Sequence, residues 1–142
     1  MRPATLAEVA SRTAADGAWD HHVREFMDAF YASDGDTGRQ SAMIAEEPVI
    51  VGEERADAFI GGVGEHLARR WRLAMPFWVR DARRYLALPM FIPGDPQLKP
   101  YLLVVSPVAF RTRLIFTGPD PLQRARFPYH KGTATFPLPE PD

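Results

Sequence analysis

His21 and His22 stand side by side in "DHHVREF", and on a helix His21 would share a face with Glu25, as would His22 with Glu25 or Phe26. Two such ligands do not complete a metal site. Zinc catalysis takes three protein ligands and an open position, "HHVRE" lacks the HExxH spacing, and Glu65-His66 falls in a different segment with no marked partner. Solvated helix histidines are the better reading, and neither a metal nor another cofactor is expected. "DGDTGRQSAMIAE" opens like a calcium loop at Asp34 and Asp36, but Ala45 stands at its twelfth position, where the ion needs a bidentate glutamate. "GGVGEH" at Gly61 to His66 lacks the GxGxxG spacing, and neither a Walker lysine nor GxSxG occurs. Adjacent carboxylates in Glu46-Glu47 and Glu53-Glu54 point in different directions from a helix and share no proton. No catalytic residue is assigned, and the chain is expected not to be an enzyme.

The arginines offer more. "SPVAFRTRLIFTGPDPLQRARFPYH", Ser106 to His130, sets four arginines among four aromatic residues. Arginine grips phosphate or carboxylate in a fork, and an aromatic ring stacks on a base. On a helix, however, Arg111 and Arg113 lie ~200° apart, as do Arg124 and Arg126, so the four cannot line one phosphate strand. Phe110, Leu114 and Phe116 are read as turned inward, and Arg111, Arg113, Arg124 and Arg126 as candidate partner-binding residues. The partner expected first is a protein, and the alternative is nucleic acid. "RRWR" at Arg69 to Arg72, with Arg80, Arg83 and Arg84, is a second basic cluster that forms one patch with the first only if the fold joins them.

Helical periodicity must position these groups. Thr5 and Glu8 fit a capping box before Leu6, Val9 and Ala10. Trp19, Val23, Phe26 and Phe30 predict a helix over Ala18 to Ala32, and Ala56, Phe59, Ile60, Val63, Leu67 and Trp71 predict another over Glu53 to Leu73. Gly61, Gly62 and Gly64 inside the second point to close packing of a neighbour or to a local break, and close packing is favoured. A brief helix carries Met43 and Ile44 to Glu46, and "PVIVG" reads as a loop or a short strand. Prolines at 76, 89, 93 and 96 break the next stretch, whose Phe77, Trp78, Tyr85 and Phe91 are expected to seal the core's edge; Asp81 would cap a short helix. Asp95-Pro96, Ser106-Pro107 and Asp120-Pro121 each read as a helix start, the last opening "PLQRA".

The 142 residues are of single-domain size, and 46% hydrophobic with 25% charged residues suits a globular chain. The fold class expected is mainly α: a single compact helical domain over 1–126 with a proline-rich extended tail over 127–142. No apolar run approaches the ~18 residues of a membrane span, no signal-peptide stretch is read at the N-terminus, and cysteine is absent, so a cytoplasmic location is expected. The net charge of −1 conceals an asymmetry: Met1 to His66 holds 13 acids and 5 bases, Leu67 to Asp142 12 bases and 5 acids, giving −8 and +7. Packing of the two halves against each other would neutralise it internally; otherwise they present separate faces to partners.

Phe26 to Tyr31, "EHLARR" at Glu65 to Arg70, "PFW" at Pro76 to Trp78, "YLALPMF" at Tyr85 to Phe91, and "SPVAFRTRLIF" followed by "LQRA" together resemble a family of small uncharacterised bacterial proteins. The resemblance spans most of Leu6 to Ala125. Members of that family look like partners of nucleotidyltransferase-fold proteins, so it implies a toxin-antitoxin-like or regulatory role and carries over no catalytic residue. Gln123 stands where the family pattern tends to have serine.

Overall fold

The computed structural model describes residues 1–124. The tail expected over 127–142, and Arg126, lie outside them. The described chain is mainly helical: α1 (Leu6–Asp16), α2 (Trp19–Ala32), α3 (Thr37–Ala45), α4 (Glu54–Arg70), α5 (Lys99–Val105) and α6 (Val108–Arg111), with two-residue strands β1 (Met90–Phe91) and β2 (Ile115–Phe116). No described helix is long and apolar enough to cross a membrane.

Local chemistry sets the N-terminal helices. Thr5 Oγ1 accepts from the Glu8 N–H at 3.1 Å, while the Glu8 carboxylate accepts from the Ala4 N–H at 2.6 Å. Gly17, at φ 75°, ends α1 in the left-handed conformation that costs glycine no steric clash. Asp36 caps α3 and Glu53 caps α4. The Asp57 carboxylate then reaches back to the N–H groups of Val51 and Gly52 at 2.8 and 3.0 Å, which fixes "PVIVG" as a loop without strand pairing.

The long helix α4 is the axis of the molecule. Every residue from Ala56 to Ala68 is buried, because α1, α3, α6 and two 3-10 turns, Phe77–Arg80 and Ala82–Arg84, pack around it. Its glycines allow this. A Cβ on Gly61 would lie 2.9 Å from the Arg84 Cβ, one on Gly62 2.6 Å from the Phe110 ring, and one on Gly64 2.5 Å from the Trp78 ring. Close packing is therefore what they serve, each admitting a different element. Phe26, Phe30, Phe59, Val63 and Leu67 share the core, as expected. The two long helices meet through ring contacts, Trp19 with Phe59 at 4.9 Å and Phe30 with Trp71 at 5.8 Å, and α1 packs against both.

Three expectations are corrected. After Ser106-Pro107 the helix lasts a single turn: Leu114 takes φ 64° and reverses the chain, so that Ile115 and Phe116 pair in parallel with Met90 and Phe91. Ser106 does not cap α6 but ends α5; its hydroxyl donates to the Leu102 carbonyl at 2.6 Å and accepts from the Thr117 N–H at 2.8 Å, joining the end of α5 to the end of β2. No helix follows Asp120-Pro121 among the described residues; the Leu122 carbonyl accepts from the Tyr31 hydroxyl at 2.8 Å instead. Phe77 also departs from expectation. It points outward while its neighbour Trp78 fills the core and donates its indole N–H to the Ile44 carbonyl at 3.1 Å.

Candidate functional site

Two of the buried arginines, Arg113 and Arg84, expose no surface. Arg113 lies directly after α6. Its Nη1 donates to Glu65 Oε1 at 2.6 Å and to the Ala109 carbonyl at 2.7 Å, its Nη2 donates to the Val79 carbonyl, and the Tyr85 ring lies 4.5 Å from the guanidinium. Arg69, one helical turn beyond Glu65, takes the other carboxylate oxygen at 2.9 Å. Burial alone would raise the Glu65 proton affinity, but the hydrogen bonds from Arg113 and Arg69 outweigh it and hold the carboxyl below its usual range. A carboxylate with each oxygen bonded to an arginine and its proton affinity lowered is an ion-pair anchor and a weakened base.

Arg84 is the second. It packs 4.9 Å from the Trp78 ring and donates from Nη2 to the Pro48 carbonyl at 2.6 Å, while its Nε and Nη1 make no hydrogen bond. Burial depresses its proton affinity, and the field of Asp57 opposes that shift. His66, also on α4, is pushed down to about 3 by burial and by Arg70, against the opposing pull of Glu65, so it is a neutral core imidazole lying 5.6 Å from the Phe110 ring. His22 is turned to the Asp16 carboxylate at 2.9 Å. Among the described residues no three histidine, aspartate or glutamate side chains converge to hold a metal ion.

The candidate partner-binding arginines are thus divided. Arg113 is inside the core; Arg124 pairs with the buried Asp28 of α2 at 2.9 Å, which raises its proton affinity; Arg111 is exposed and donates from Nη1 to the Ser106 carbonyl at 3.0 Å. In the other cluster Arg69 pairs with Glu65, Arg83 with Asp81, Arg70 and Arg84 are buried, and Arg72 and Arg80 are exposed. Links from Glu65 to Arg69 and Arg113, and from Asp28 to Arg124, join the acidic half of the chain to the basic half.

The outward surface is apolar where sequence reasoning placed no site. In α5, "KPYLLVV", only Leu102 is buried; Tyr101, Leu103 and Val104 are 53%, 47% and 76% exposed. The signal was present in a helix with no charged residue after Lys99, so that any face it turns outward is largely apolar. This helix packs against β2, and Lys99 at its start lies 5.0 Å from the Phe91 ring of β1. A groove of about 500 Å³ adjoins β1, lined by Leu86 to Phe91, Gly94, Glu54, Arg55 and Lys99. Comparison with protein-family models, with curated proteins and with solved structures gives no match for this chain.

Proposed function

We propose that this is a non-catalytic binding module that engages another protein through α5 and the surface beside it. The carrying observation is the exposure of Tyr101, Leu103 and Val104 on one short helix. Monomers seldom leave large apolar patches in water, and fully burying a side chain of this size contributes roughly 1.5–3 kcal/mol. The engagement of Glu65 and the burial of His66 support a structural role for the polar interior over a catalytic one. The resemblance to partners of nucleotidyltransferase-fold proteins supplies the kind of protein expected, in a toxin-antitoxin-like or regulatory pairing.

The test is co-expression of the tagged chain with a nucleotidyltransferase-fold protein encoded in the same host, followed by capture with and without nuclease. Wild type should retain that protein, and Tyr101→Glu with Val104→Glu should release it, while stability stays within about 0.5 kcal/mol because both side chains are exposed. Equal capture by the variant would refute the assignment to α5. Recovery of nucleic acid alone, lost at high salt, would favour the nucleic-acid alternative.

A further inference from the structure

We infer that the groove along the free edge of β1 receives a short, extended, acidic segment of the partner as an added strand, a reading that rests on the protein-binding function proposed above. Among the described residues no strand pairs with β1 on that side. β1 turns the N–H groups of Met90 and Ile92 toward β2, donating to the Leu114 and Phe116 carbonyls at 2.8 and 2.9 Å. Alternation along a strand therefore directs the Phe91 amide away from β2. The groove is lined by Met90 and Phe91 of β1 and by no residue of β2, which suits an occupant on the side away from β2.

Its chemistry selects the occupant. Arg55 and Lys99 line it, both exposed and neither in an ion pair among the described residues, against the single acid Glu54; Leu86, Leu88 and Met90 supply apolar contacts. An extended segment alternating acidic and apolar residues satisfies both, since successive side chains of a strand point to opposite faces. Pro89 and Pro93 bring no N–H, which leaves Phe91 as the outward donor and limits the pairing to a short stretch. A second copy of this chain is a poor occupant: its own β1 has the same missing donors and would set Arg55 and Lys99 of one molecule against those of the other.

The test titrates the isotope-labelled full chain with acetyl-Glu-Val-Glu-Val-Glu-Val-amide and with its lysine-for-glutamate counterpart. The acidic peptide should shift the Phe91 amide resonance and slow its exchange with solvent. Arg55→Glu with Lys99→Glu should weaken that binding at least about tenfold and turn the preference to the lysine peptide. An unmoved Phe91 amide at millimolar peptide, or equal response to both peptides, overturns the inference. In the co-expression capture, loss with Tyr101→Glu and Val104→Glu but full retention with Arg55→Glu and Lys99→Glu also overturns it and leaves the protein-binding reading standing. If wild type captures nothing, that reading fails, and the peptide titration still decides the groove.

Discussion

Replacing Glu65 by glutamine removes the carboxylate that faces the fully buried Arg113 and changes almost no volume. In the wild type one oxygen lies 2.6 Å from Arg113 Nη1 and the other 2.9 Å from Arg69 Nε. Breaking a buried pair by removing one partner costs about 3–5 kcal/mol, because the surviving charge stays desolvated. Glutamine's amide oxygen still accepts one bond, so about 3 kcal/mol is expected, or roughly 6–12 °C in midpoint at the 2–4 °C per kcal/mol usual for this size. Urea unfolding followed by circular dichroism measures it, with an unchanged slope confirming that the folded state is the same. Glu65→Leu combined with Arg113→Met should cost less than the sum of the two single changes by about 1–3 kcal/mol, since the double variant leaves no uncompensated charge. Acid sensitivity adds a second readout. The Glu65 carboxyl is held below its ordinary value, so its stabilisation is present above that value and lost as pH falls through the lowered one; Glu65→Gln should remove this component. Additive single and double effects, or a Glu65→Gln cost under about 1 kcal/mol, would refute the placement of Arg113 in the core.

Three further outcomes are expected. Gly64→Ala should destabilise by about 1–3 kcal/mol, because its Cβ would stand 2.5 Å from the Trp78 ring; a midpoint equal to wild type in thermal unfolding would contradict the packing of that ring on α4. His66, lowered from an ordinary value near 6.5 to about 3, leaves the unfolded chain binding a proton between those values that the folded chain does not bind, so stability should fall as pH drops from about 6.5 toward 3. Its share is roughly 2 kcal/mol by pH 5, read as the difference in pH-dependent unfolding between wild type and His66→Leu; parallel curves would contradict the burial of the imidazole. Phe26→Ala, at a fully buried site, should cost about 3–5 kcal/mol in the same measurement, and a shift of less than a degree or two would place the core elsewhere.

What was legible in the sequence was local. The capping pair Thr5 and Glu8, the periodicity of Trp19 to Phe30, and the glycines of α4 all act within a few residues, and the helices follow them. In sequence the stretch after Ser106 has the marks of a helix, because Phe110 and Leu114 sit four apart and a proline follows a capping residue type. Its structure is set by residues far away in sequence: β2 exists only because Met90 and Phe91 lie beside it, and the Leu114 turn that aligns them has φ 64°, which a leucine adopts only under tertiary constraint. The burial of Arg113 is illegible in the sequence for the same reason. Arginine is a surface residue by type, and what buries this one is a carboxylate 48 positions earlier on a helix whose Gly61 leaves room for the guanidinium.

The molecule consequently distributes its side chains against the usual expectation, and the two departures belong together. Charges that would ordinarily keep a surface solvated are drawn inward: Glu65 and Arg113 link α4 to the segment after α6, Arg84 ties the loop at Pro48 to the 3-10 turn Ala82–Arg84, and Arg124 is held by Asp28. These contacts fix the path of the chain around α4 without using the apolar residues of α5. Tyr101, Leu103 and Val104 are then left outside, on an element anchored by Leu102 and by the Ser106 hydroxyl's links to Leu102 and Thr117. Such an anchor holds the exposed helix in place before any partner arrives, which reduces the ordering cost of association and leaves more of the apolar burial to appear as affinity. On the protein-binding function proposed above, Ser106→Ala, which unties α5 from β2, should weaken capture in the co-expression assay although Ser106 is buried, and capture equal to wild type would refute this.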